Sequence, residues 1–262
     1  MSVSIVITFI IGWLAAQLVN YLADVLPATR KLSAPTCGQC SATRKWTDFL
    51  LMKKCSACRE ARSPRTWLTL FFGIVISLYT WVSPPNKLGY WLGMVLVVYL
   101  AVVLVIDLEH RLILHPTSIF GAALAAGLGI YLHGVKATLL GGAFGYGAML
   151  FFYGFGILFT KMRAKRMQAQ GIEADDEEAL GFGDVNLAGI LGLLLGWPLI
   201  WIGLLLGVLG GGIVSLLLVI FVSIRQRYQE NALMIFIPYG PYFIISAFTL
   251  LYLPHWISSL PF

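Results

Sequence analysis

The chain has 262 residues, of which 59% are hydrophobic and only 11% charged, whereas a soluble domain carries roughly 25% charged residues. That balance excludes a soluble globular enzyme and reads as a polytopic membrane protein. The net charge of +6 would suit nucleic acid, but the basic residues gather in loops between apolar segments, which argues against that partner.

Apolar windows of about 20 residues mark membrane segments. The first, 3–22, has neither a basic start nor a small-residue cleavage site, so it reads as a membrane helix and not as a removable signal. A polar loop follows, 28–66, and it holds all four cysteines: Cys37-Gly-Gln-Cys40, fourteen residues, then Cys55-Ser-Ala-Cys58. Two C-x-x-C pairs at this separation match a site of four thiolates on zinc. With four protein ligands no position is left for a reactive water, so such a site is structural. Free thiols or a redox pair are the bland alternative.

Further segments fall at 67–83, 88–107, 117–133, 137–159, 184–197, 199–222 and 235–253, which makes eight, with 184–197 short. The fold class expected is therefore all-α, a polytopic transmembrane bundle of about eight helices with a small cytoplasmic zinc-binding loop. The domain division expected is 1–27 as first helix, 28–66 as zinc loop and 67–262 as the core. Gly203, Gly207 and Gly211 recur every four residues, as do Gly141 and Gly145, and Gly192 and Gly196. Small residues on one helix face allow close backbone approach in lipid, and packing is the role expected of them.

The basic residues give the orientation. Loops 28–66, 108–116, 160–183 and 223–234 hold 16 of the 18 Lys and Arg, leaving Lys87 and Lys136 on the other side. The alternation predicts that these four loops face the cytoplasm and both termini face outward.

Two carboxylates then stand out. Asp107 follows nineteen uncharged residues, a run of roughly 28 Å as a helix, so it lies at or just inside the cytoplasmic end of its segment. Asp184 opens its segment from the same side. An acid at this depth is costly when ionised and unpaired, and it is a functional candidate by default. The rival for Asp107 is an interfacial pair with Arg111, one turn on; Asp184 has no base within four positions. Asp24, at the end of the first segment, is a third candidate. The run Glu173, Asp175, Asp176, Glu177 and Glu178 reads as solvated. Gly181 and Gly183 remove side chains around Asp184 and permit a bent approach for an extended substrate. Two carboxylates at one depth can share a proton, one serving as base on water and the other as acid toward a carbonyl.

These residues resemble a known family, the bacterial type IV prepilin peptidases among the G-x-G-D aspartic membrane proteases. "VIDLEHRLIL" around Asp107 and "GFGDVNLAGILG" around Asp184 look like its two catalytic aspartate segments. "IPYGPYF" at 237–243, "GWLAAQLVNYLADVLP" at 12–27 and the double C-x-x-C loop are similar to its other landmarks. The resemblance implies an endopeptidase of the plasma membrane, its site facing the cytoplasm, that removes the short basic leader of prepilins or type II secretion pseudopilins. Asp107 and Asp184 would be catalytic, with Gly181 and Gly183 positioning the loop. Zinc would sit on Cys37, Cys40, Cys55 and Cys58, and the partners would be prepilin substrates and membrane lipid. The family's further activity, N-methylation of the new terminus with S-adenosylmethionine, is left open. Asn186 stands where the family commonly has lysine, and Ala23-Asp24-Val25 replaces its usual arginine before Leu-Pro.

Two readings from other classes compete. An ion-coupled transporter would use the acid pair to carry protons, and would be expected to show two related halves. A scaffold would use the zinc loop to recruit a partner, leaving the acids structural.

Overall fold

The computed structural model describes residues 2–37, 40, 42–169, 181–224 and 239–253. The acidic run 173–178, Arg225, Arg227 and the first two residues of "IPYGPYF" lie outside them. The described residues are helical wherever they are regular, apart from one isolated bridge between Thr36 and Thr43. In chain order the helices are α1 Ser2–Thr29, α2 Trp46–Leu50, α3 Pro64–Val82, α4 Gly89–His110, α5 His115–His133, α6 Val135–Ala169, α7 Phe182–Leu195, α8 Leu199–Ile224 and α9 Gly240–Tyr252. Apart from the five-residue α2, each answers to one apolar segment of the sequence. Six are long and apolar enough to cross a membrane, while α7 and α9 are shorter. At 14 residues α7 spans about 21 Å, short of the roughly 30 Å of a hydrocarbon core.

Several helices outrun the apolar windows. α1 continues to Thr29, so Asp24 is inside it, because Val25 and Leu26 extend its buried face. α3 begins at Pro64, which takes Arg65 into its first turn. α6 carries Lys161, Arg163, Lys165 and Arg166 as helix, not loop. Hydropathy marks where lipid ends; the backbone hydrogen-bond ladder has no reason to stop there.

The chain divides into two units, 1–116 with 251–262, and 117–250. In the first, α1 packs on α3 through small residues: a methyl on Gly73 would collide with the Ala16 side chain, and one on Gly12 with Ser77. Val19, Ala23 and Leu26 of α1 meet Val102, Val105 and Ile106 of α4 in an apolar core. Buried hydroxyls are satisfied between helices, Ser77 Oγ donating to the Thr8 carbonyl at 2.9 Å and Tyr252 OH to the Gly93 carbonyl at 2.6 Å. The polar loop docks on α1 through α2: Phe49 is buried against Tyr21 and Val25, and Gln17 Nε2 donates to the Leu50 carbonyl at 3.3 Å.

In the second unit, α6 and α7 approach backbone to backbone. A methyl on Gly141 would overlap the Gly192 carbonyl, and one on Gly145 the Ala188 carbonyl. The glycine spacing thus does what the sequence led one to expect. On α8, Gly207 faces the ring of Phe243 and Gly211 that of Tyr239. Its other faces expose Leu209, Ile213, Leu216 and Leu217, the surface a helix presents to lipid. α5 and α6 are separated by Gly134 alone, whose φ of +83° a side chain would strain.

Candidate active site and metal centre

The cysteines converge. Their four Sγ atoms lie within 4.8 Å of one another, with Cys37–Cys58 and Cys40–Cys55 both at 3.7 Å. A tetrahedral site with metal–sulfur bonds of about 2.3 Å requires sulfurs about 3.8 Å apart, so the cluster has the dimensions of a four-thiolate centre. Short turns build it: Cys37 N–H donates to the Ala42 carbonyl at 2.9 Å, and Cys55 N–H to that of Glu60 at 3.0 Å. The backbone N–H groups of Cys58 and Ala57 pull the Cys55 thiol down to about 6. For Cys58 the Glu60 N–H pulls downward, but desolvation and the crowding thiols of Cys40, Cys55 and Cys37 win and push it up to about 12. Four thiols this close cannot all ionise together without a cation among them. Arg44 is buried alongside and donates from Nη2 to Cys37 Sγ at 3.7 Å.

Asp107 belongs to the first unit and Asp184 to the second. Asp107 lies in the last turn of α4 and is only 3% exposed. Its Oδ2 has no hydrogen-bond partner among the described residues. The Arg111 ion pair that would have made it a bland interfacial acid does not form: Arg111 is exposed, left-handed at φ +52°, and gives only its backbone N–H to the Asp107 carbonyl at 2.8 Å. A buried carboxylate kept in this state is costly to the fold.

Asp184 is the third residue of α7, 7% exposed, with its N–H on the Gly181 carbonyl at 3.0 Å. In a first turn the carboxylate is favoured by the helix dipole. Gly181 has φ −77° and ψ 141°, a backbone open to any residue. A Cβ there would stand 4.0 Å from Asp184 Oδ2, an ordinary contact distance, so the local fold itself does not demand glycine at this position. Phe182 is held against Tyr153 of α6, ring centroids 5.6 Å apart.

Asp24 is paired. Arg65 Nη2 binds its Oδ1 closely, Arg62 Nη1 is 3.8 Å from its Oδ2, and Arg65 Nη1 reaches Glu109 Oε2 at 2.7 Å. Arg65 thereby joins α1, α3 and α4. Sequence reasoning assigned no role to Arg62, Arg65 or Glu109, since partners 41 and 44 positions apart leave no periodic signal.

A model of the type IV leader peptidase family matches residues 94–224, half of the chain. The chain belongs to that family. Comparison with curated proteins and with solved structures gave no match. As a type IV leader peptidase it is thus a peptidase in a membrane-helical protein. The family match encloses Asp107 and Asp184, while the cysteine cluster stands outside it.

Proposed function

We propose that this type IV leader peptidase is an aspartic endopeptidase of the plasma membrane that cuts the basic leader from prepilins or pseudopilins at the cytoplasmic face. The observation that carries the reading is Asp107: a carboxylate buried at the end of an apolar helix, inside the family match, without the arginine partner that would explain it structurally. Asp184, in the first turn of its own helix and flanked by glycines, is the second acid.

In the reaction, the ionised member of the pair takes a proton from water as the water oxygen attacks the scissile carbonyl. The protonated member gives its proton to the carbonyl oxygen. The tetrahedral intermediate then collapses as a proton passes to the leaving amine, which breaks the peptide bond. No metal takes part in this step. The cysteine cluster holds a structural zinc ion, supported by its thiolate donors and sulfur spacing, and orders the 28–66 loop. Residues 67–262 form the catalytic core. The excess of Lys and Arg supports the cytoplasmic orientation of the cysteine loop and of both acids.

The test is to incubate detergent-purified protein with a prepilin and follow leader loss. Cleavage by the native chain and none by Asp107→Asn or Asp184→Asn is the expected result. Full cleavage by either variant returns the acids to a structural role.

A further inference from the structure

The ends of α1, α3 and α4 and the cysteine loop line an open cavity of about 700 Å³ whose wall includes Arg44, Arg62 and Arg65. Each of these helices is long and apolar enough to cross a membrane, so their ends, and the cavity with them, lie where chain leaves hydrocarbon for water. The volume falls within the range of ordinary ligand sites.

The wall has donors to spare. The Arg44 residue is 9% exposed and the Arg62 side chain 7%. Among the described residues, Arg44 Nε and Nη1 and Arg62 Nε have no hydrogen-bond acceptor. A buried guanidinium N–H with no acceptor is expensive, and Arg44 and Arg62 each carry at least one. Burial first, and then the neighbouring Arg44 charge, lower the Arg62 pKa. The carboxylates on the same wall are already engaged, Asp24 by Arg65 and, at 3.8 Å, by Arg62 Nη1, and Glu109 by Arg65, while Glu60 is exposed. Arg44 commits Nη2 to Cys37, and Arg62 commits Nη2 to the Phe49 carbonyl at 3.1 Å. Arg44 Nε and Nη1 and Arg62 Nε are the donors left over, and what suits them is an oxyanion.

We propose that the cavity between the cysteine loop and the ends of α1, α3 and α4 binds a phosphate group through Arg44 and Arg62, the group being that of an anionic phospholipid or free phosphate. Guanidinium is suited to phosphate oxygens, and anionic headgroups concentrate on the cytoplasmic leaflet. The inference is independent of the cleavage chemistry.

The test uses the purified full chain, stripped of lipid and returned to nanodiscs of phosphatidylcholine alone or with phosphatidylglycerol, each with and without inorganic phosphate. The readouts are thermal midpoint and lipid retained in native mass spectrometry, with zinc content checked in every sample. A raised midpoint and retained phosphatidylglycerol identify the lipid source; a phosphate effect equal in both nanodiscs identifies the free anion. Either effect should weaken about tenfold in apparent affinity in Arg62→Gln and in Arg44→Gln. Lys31→Gln, which alters an exposed cation outside the cavity wall, should retain it. Arg62→Lys keeps the charge and should keep part of the effect, which separates lost binding from lost folding. If zinc-replete Arg62→Gln and Arg44→Gln respond to lipid and phosphate as the native chain does, or the native chain responds to neither, the proposal is wrong.

Discussion

Arg65 Nη1 donates to Glu109 Oε2 at 2.7 Å, and Glu109 stands two residues beyond Asp107 on α4. The same guanidinium grips Asp24 through its other nitrogen, so one side chain fixes the end of α4 to α1 and α3. The pair is partly buried, Arg65 17% and Glu109 37% exposed. Its loss leaves Asp24 with only the longer Arg62 contact and Glu109 with solvent. Arg65→Ala should therefore destabilise the protein by roughly 1–2 kcal/mol, between the cost of losing an exposed pair and that of losing a buried one, with Arg65→Lys recovering less than half because lysine has no fork to hold two acids. Denaturant unfolding in detergent measures both. A double-mutant cycle between Asp24 and Arg65 with no coupling would remove the network from the account.

The aspartates should behave as one unit. Asp107→Asn and Asp184→Asn should each abolish cleavage with expression and insertion near normal, and the double variant should be little worse than either. Asparagine keeps the shape of the group but exchanges no proton at catalytic pH. The pH–rate profile of the native enzyme should be bell-shaped, with limbs that belong to the pair. Asp24→Asn, whose carboxylate is an ion-pair partner, should retain most activity. Substantial cleavage by a single Asp107 or Asp184 variant would falsify the mechanism.

About one equivalent of zinc per chain should be found by elemental analysis of protein prepared without chelator. Cys55→Ser should release it and cost on the order of 5 kcal/mol, a fraction of the roughly 10–16 kcal/mol measured for small zinc domains, because α2 keeps its own docking on α1. Limited proteolysis should then cut within 28–66. Activity should fall less than on loss of an aspartate, and a cysteine variant as inactive as Asp107→Asn, yet folded, would give the metal a catalytic part.

The helix interface of the second unit gives a sharp contrast between glycines. Gly145→Val should severely impair folding, because its side chain meets the Ala188 carbonyl of α7 and overpacking of a backbone contact costs about 3 kcal/mol or more. Gly154→Ala, on the same helix with open space around it, should be neutral or stabilising by up to about 1 kcal/mol. Thermal midpoints of the two variants decide the matter; equal effects would mean that α6 does not pack on α7 in this way.

Orientation is open to direct labelling. In intact cells an impermeant thiol reagent should modify Lys87→Cys and Lys136→Cys and spare Arg111→Cys. Labelling of the Arg111 position from outside would reverse the assignment and remove the argument that both acids face the cytoplasm.

The sequence by itself determined the helical class, the segments and the cysteine cluster. Apolar runs such as 88–106 can satisfy their backbone in lipid only as helix, and the spacing of Cys37, Cys40, Cys55 and Cys58 is a local constraint that short turns suffice to satisfy. The glycine repeats at 141 and 145 were legible for the same reason, since a four-residue period defines one helix face. Tertiary structure decided what depends on distant partners. It paired Asp24 with Arg65, where sequence alone left Asp24 a candidate site acid. It withheld Arg111 from Asp107, because a left-handed residue at the helix end points its side chain to solvent while only its N–H turns back. It carried α1 beyond its apolar window to Thr29, because Val25 and Leu26 are buried by packing that no hydropathy average contains. Electrostatic partners 41 and 44 residues apart carry no period and no motif, so only the packing of α1, α3 and α4 could bring Asp24, Arg65 and Glu109 together.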